Sequence, residues 1–364
     1  MHRNIPLARP SIGDAERSAV QRVLSGTMLT GGAELARFEK LVAEHANRRF
    51  AIATSSGTSA LELALWSLGV GPGDTVLVTA FGFPAAANAV AARGATPIAV
   101  DVDERAWLMD FDAAAKAVTA TTKAIVCIDQ LGAVTSSASI NAFEKSTGVP
   151  VISDAACGFG GRDEKGEPAG SAGRMATFSF HPRKLITTGE GGAIVCDDEK
   201  LATQFRQLRN HGQAGGGRFA SIGTNARLDE CSAAIGCAQL ARLEPMLAER
   251  RMLVTGYKER LESLQQRRLS WQELPDTSQH SNQSFSVLLD ESCDRDAAVV
   301  ALQERGIGCG AATYSFVEIG VHPDAGRAPI AKALHERSLS LPLYIGMRSA
   351  ELGRVCDALK EVLL

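Results

Sequence analysis

The chain has 364 residues, enough for two domains and a large core, and its 45% hydrophobic and 22% charged content belongs to a globular protein rather than a disordered one. A net charge of -3 with no basic run offers no surface for nucleic acid or an anionic membrane. The opening "MHRNIPLARPSIGDAERS" lacks an apolar stretch of signal-peptide length, and nothing later reaches about 18 uninterrupted apolar residues, so a cytoplasmic protein is expected.

Short apolar runs alternate with helical patterns, which predicts an α/β protein with a largely parallel sheet. In chain order, strands are predicted at 75–79 (TVLVT), 97–101 (PIAVD), 123–128 (KAIVCI), 149–153 (VPVIS), 176–180 (ATFSF) and 192–197 (GAIVCD). Helices start near Thr58 and Ala87. Residues 228–264 read as a long helical passage, bent near Pro245, that carries the chain out of the first domain. Strands then follow at 284–290, 306–314 and 338–347, and an amphipathic helix over 349–364 closes the chain. The expected organisation is a large domain over 1–245, N-terminal segment included, and a smaller α/β domain over 246–364.

Eight cysteines never form a C-x-x-C pair, and seven histidines lack metal-site spacing, so no metal is expected. Most of the cysteines sit inside apolar runs, and all but Cys157 read as buried, reduced thiols.

In an open α/β sheet, ligands gather at the carboxyl ends of strands, which directs attention to five places. "TSSGTSALELAL" puts Gly57 and Thr58 at a helix start, where free amides and the helix dipole suit a phosphate; plain capping is the competing reading. Neither G-x-x-x-x-G-K-[ST] nor G-x-G-x-x-G is present. Asp154 follows the strand at 149–153, where a carboxylate is costly to bury without a cation or donors. In "FSFHPRKLITTGEGG", Ser179 ends a strand and Lys184 precedes a glycine turn that lets backbone approach a ligand closely. Phe81 and Phe83 follow another strand, where an aromatic stacks on a flat ring or fills the core. "GTNARLDE" places Asn225 before a helix, which alone says little. Phosphate cradle, acid, serine and lysine in this order are what pyridoxal 5'-phosphate requires: donors for the phosphate, a carboxylate for the pyridine nitrogen and an amine for the Schiff base.

With "SFHPRKLITTGEGG", "LRNHG" and "GTNARLDE" in one chain, the sequence resembles the DegT/StrS sugar aminotransferases, a branch of the fold-type I pyridoxal phosphate enzymes, over nearly its whole length. The resemblance implies that Lys184 forms the Schiff base and shuttles the proton, and that Asp154 partners the pyridine nitrogen. It implies phosphate contacts from Gly57, Thr58 and Ser179, ring stacking by Phe83, and a homodimer with shared sites in which Asn225 reaches the neighbouring subunit's phosphate. It also implies an amino acid donor, by family expectation L-glutamate, and a keto-sugar acceptor, usually nucleotide-linked, for amino-sugar biosynthesis. One position departs from the pattern: Cys157 stands where the family carries a glutamine or histidine against the cofactor's phenolic oxygen, and a thiol is the weaker hydrogen-bond partner. The rival readings are a lyase-like enzyme on the same fold and a ligand-sensing relative without activity. Lys184 argues against the pyridoxamine-dependent dehydratases, which resemble a version with histidine there.

Overall fold

The computed structural model describes residues 4–265 and 267–364. Its first sheet has seven strands: β1 (Phe50–Thr54), β2 (Thr75–Thr79), β3 (Thr96–Val100), β4 (Thr122–Ile128), β5 (Val151–Asp154), β6 (Met175–Ser179) and β7 (Gly192–Cys196). They lie in the order β1-β7-β6-β5-β4-β2-β3. Every pair from β3 across to β6 is parallel, and β7 runs antiparallel to both its neighbours. These strands read as continuous apolar runs because both faces are covered. Ile52 and Ile194 face one core, while Ala51, Ala53, Ala193 and Val195 face the other.

The predicted strands of this sheet agree with the structure to within two residues at each end. The helix expected from Thr58 is Gly57–Ser67, and that expected from Ala87 begins two residues earlier, at Ala85. The passage after Arg227 differs. It is two helices, Glu230–Leu240 and Leu243–Leu261, separated at Ala241 and Arg242. Pro245 does not bend a continuous helix; it lies in the first turn of the second one, where its missing N–H has no intrahelical acceptor to lose.

A second sheet follows: β8 (Leu269–Trp271), β9 (Phe285–Leu289), β10 (Gly310–Ala311) and β11 (Ser338–Leu341), in the antiparallel order β10-β11-β9-β8. The long strand expected over 306–314 reduces to two residues, since Tyr314 and Ser315 leave this sheet to bond the segment after β2. Helix Leu243–Leu261 joins the two cores. Leu243, Met246 and Leu247 pack beneath the first sheet, whereas Val254, Tyr257 and Leu261 pack with β9, β11 and the closing helix Ser349–Leu363. Ile5 belongs to this second core, held between Gly306 and Gly308 by backbone hydrogen bonds.

Candidate active site

The strand ends Thr54, Ile128, Asp154 and Ser179 share one edge of the first sheet, joined there by Gly192 at the start of the reversed strand. Helix Gly57–Ser67 starts from this edge. Ser56 caps it, accepting a hydrogen bond from the Ser59 amide at 3.0 Å, and the amides of Gly57 and Thr58 sit in the first turn, which has no intrahelical acceptors. A Cβ on Gly57 would lie 2.8 Å from the Cβ of Ser179, so glycine is what lets the helix start lie against the end of β6. Thr58 is exposed and Ser179 half-buried, which leaves both hydroxyls open to a ligand.

Lys184 lies in the crossing from β6 to β7. The Phe180 carbonyl accepts from the Thr188 amide and the Thr187 hydroxyl, and the Lys184 amide donates to the His181 carbonyl at 2.8 Å. The Lys184 Nζ donates to Cys157 Sγ at 3.0 Å. This thiol, at the position where the sequence departs from the family pattern, thus stands beside the lysine. Arg183 next to it is exposed, whereas the charge of Lys184 acts on the buried carboxyl of Asp154.

Asp154 is 7% exposed. Burial pushes its carboxyl above the usual range, opposed by the Lys184 charge and by the Ala156 amide, which donates to Oδ1 at 3.2 Å. Asp129, one residue beyond β4, is fully buried, and its carboxyl is raised to about 7, first by burial and further by the charges of Asp154 and Asp163. Its Oδ1 accepts from the Thr135 amide at 2.8 Å, while Oδ2 has no partner and abuts Gly158 in the turn that carries Cys157. Phe81 is completely buried against Trp107, whereas Phe83 is 66% exposed and edge-on to Tyr314 at 6.1 Å, so only Phe83 is free to meet a ligand. The Gln130 side chain bonds the Phe81 carbonyl and ties this segment to the end of β4.

Asn225 is exposed and bridged to Asn210, on a segment whose Ala226 carbonyl accepts from the Ser55 amide, just before helix Gly57–Ser67. Two neighbours of the site escaped the sequence reading. Asp129 was findable, because it follows a predicted strand as Asp154 does. Ser281, which donates to the Cys157 carbonyl at 3.0 Å, comes from a loop before β9 with no motif to mark it.

A seven-stranded sheet with one reversed strand, carrying a helix start, a buried aspartate and a lysine loop along its carboxyl edge, has the architecture of a fold-type I pyridoxal phosphate-dependent aminotransferase. The DegT/DnrJ/EryC1/StrS aminotransferase family matches residues 10–360, and the chain belongs to that family. The chain is 35% identical over 367 aligned positions to GDP-perosamine synthase of Caulobacter vibrioides, covering 99% of this chain and 98% of the relative. Among solved structures, the aminotransferase TlmJ of Streptoalloteichus hindustanus superposes with a TM-score of 0.93 at 29% identity, covering 99% of both chains. The PLP-form of the putative sugar aminotransferase Spr1654 of Streptococcus pneumoniae superposes with a TM-score of 0.92 at 25% identity, covering 99% of this chain and 98% of that one.

Proposed function

We propose that the protein transfers an amino group from an amino acid, L-glutamate, to the ketone of a nucleotide-linked sugar, in the formation of an amino sugar, with pyridoxal 5'-phosphate held at the carboxyl edge of the first sheet. The observation that carries this reading is the convergence of Lys184, buried Asp154 and the start of helix Gly57–Ser67 on that edge. The residues fit the cofactor chemically: a helix start with open amides for a phosphate, a carboxylate out of water for a ring nitrogen, and a primary amine on a tight loop.

Bound there, pyridoxal phosphate supplies an electrophilic carbon and a ring that takes up the electron pair left when the donor's Cα–H bond breaks. Lys184 would hold the cofactor through its Nζ and would carry the proton to and from the substrate carbon. Asp154 would hold a protonated ring nitrogen, and that positive charge would offset the unfavourable burial of its carboxylate. Gly57, Thr58 and Ser179 would hold the phosphate, and Phe83 and Cys157 would serve the ring and its phenolic oxygen.

The reading takes the enzyme as a cytoplasmic homodimer in which Asn225 completes the neighbouring site. Its support is that Asn225 is exposed along a stretch where Met28, Leu29, Phe219 and Ile222 are exposed apolar side chains, with Thr30 bridged to Asp229. The nucleotide-linked acceptor is supported by the likeness to GDP-perosamine synthase.

The test is the near-ultraviolet and visible spectrum of the protein with pyridoxal phosphate, before and after L-glutamate, and again after a nucleotide-linked 4-keto sugar. The expected result is a lysine-bound band that glutamate converts to the amine form and the keto sugar restores. A lysine-bound band that glutamate leaves untouched would move the reading to a lyase, and no band at all would move it to ligand sensing.

A further inference from the structure

Arg250 lies within helix Leu243–Leu261 and is 4% exposed. No carboxylate among the described residues forms an ion pair with it, its Nε has no partner, and burial pulls the guanidinium down to about 10. A cation in such a place is costly, and an apolar side chain would cover the helix more cheaply. Its hydrogen bonds show what it holds. Nη1 donates to the carbonyls of Asn282 at 2.8 Å and Gln283 at 2.9 Å, where the left-handed Asn282 (φ 52°) turns the backbone inward.

These two carbonyls belong to a strap, residues 279–284, that precedes β9 and touches three loops of the active-site edge. The Ser281 hydroxyl donates to the Cys157 carbonyl at 3.0 Å, and the Gln283 side-chain amide donates to the Arg183 carbonyl, beside Lys184, at 2.8 Å. The Ser281 and Ser284 amides donate to the carbonyls of Gly132 and Leu131, just beyond β4. One strap thus ties the thiol's turn and the lysine's loop to the same pair of carbonyls, and the guanidinium fixes those carbonyls from the other side.

We propose that Arg250 is a positioning residue for the transamination site: by clamping the strap 279–284, it sets the Cys157 turn and the Lys184 loop in register with each other. The proposal rests on the reading of Lys184 as the reacting lysine. Without the guanidinium, the two carbonyls must find water, the strap loosens, and the lysine loses its fixed approach to the thiol and the cofactor. A displacement of about 1 Å at a reacting group costs up to about 10²-fold in rate.

The test compares Arg250→Met and Arg250→Lys with Arg251→Met, a change at the exposed neighbour on the same helix. Hydrogen exchange is measured on the full chain without cofactor, and the donor half-reaction is measured with it. Arg250→Met is expected to exchange faster over 155–160 and 181–186 while helix Gly57–Ser67 keeps its protection, and to lose about 10- to 100-fold in kcat with a smaller change in KM. Arg250→Lys, which retains a donor, recovers part of both, and Arg251→Met changes neither. A lowered melting temperature with unchanged exchange in the two loops and unchanged kcat would overturn the proposal and leave Arg250 a support of the fold alone. Should Arg250→Met fail to fold, Ser281→Ala and Gln283→Leu decide: loss of kcat in both upholds the clamp, and wild-type kcat in both removes it. If the wild-type protein forms no lysine-bound cofactor, the functional reading fails, and the exchange measurement still decides whether the clamp orders the two loops.

Discussion

Asp154 is costly to bury in the empty protein, and the proposed function makes it the ring-nitrogen partner in the loaded one, so its removal is diagnostic. Burial raises its carboxyl, and the Lys184 charge and one backbone amide only partly compensate. Asp154→Asn keeps the shape and discards the charge. Without cofactor the variant is expected to melt higher than wild type, because a buried, incompletely paired carboxylate is gone. With cofactor it should lose turnover by a factor on the order of 10³, since an amide does not hold the ring-nitrogen proton. Near-wild-type turnover in that variant would make the acid structural. Lys184→Ala is expected to lose turnover at least as severely while its circular dichroism matches wild type, and an unchanged rate would remove Lys184 from the chemistry. The placement of Gly57, Asp154, Ser179 and Lys184 on one edge of the sheet was legible in the sequence, because each lies within a few residues of a strand end. Arg250 was not: it sits on a helix, and its partners Asn282 and Gln283 are far along the chain, so no local pattern connects them.

Helix Gly57–Ser67 is positioned by the absence of a side chain at its first residue. An added methyl at Gly57 would have to displace the Cβ of Ser179, and overpacking of this kind typically costs about 1–3 kcal/mol. Gly57→Ala should therefore weaken pyridoxal phosphate binding more than it lowers the melting temperature, because the strain falls on the proposed phosphate side of the site. Gly71→Ala, where a Cβ meets open space, is the control. Equal affinity for the cofactor in both variants would show that the helix start and β6 do not form a shared cradle. At this scale the sequence carried the β-branched strands well, since Val and Ile runs such as 124–128 are distinctive. Strand β1 went unread because "FAIAT" has a single aliphatic β-branched residue, Ile52, between two alanines, and its place beside the reversed β7 depends on a partner 142 residues away in the register Ile52↔Ile194. The three-residue strand β8 gave no periodicity to detect.

Across the whole molecule, the half-buried His280 and the fully buried Asp129 tilt the stability of the cofactor-free protein in opposite directions with pH. His280 is lowered from 6.5 to about 4, by burial first and then by the Lys258 charge; its Nδ1 accepts from the Asn282 amide at 2.8 Å, and that bond is lost on protonation. Between about 4 and 6.5 the unfolded chain therefore binds a proton at this residue that the folded chain does not, and its contribution makes stability rise with pH. Asp129 is raised from 3.8 to about 7, so over that interval the folded chain holds the extra proton and stability falls as pH rises. Asp154, raised as well, adds to the fall. The two trends offset each other through the acid range, and the Asp129 penalty stands fully developed above pH 7. Asp129→Asn, which keeps the oxygen that accepts from Thr135, is expected to gain stability over wild type progressively from pH 4 to 7, reaching a few kcal/mol, with a constant difference beyond. His280→Asn should show the converse, gaining on wild type as pH falls from 6.5 to 4. Urea unfolding of the three proteins from pH 4 to 8 measures both differences. If Asp129→Asn runs parallel to wild type throughout, Asp129 is ionised in the folded protein at neutral pH, and the turn carrying Cys157 rests on a charged carboxylate instead of a protonated one.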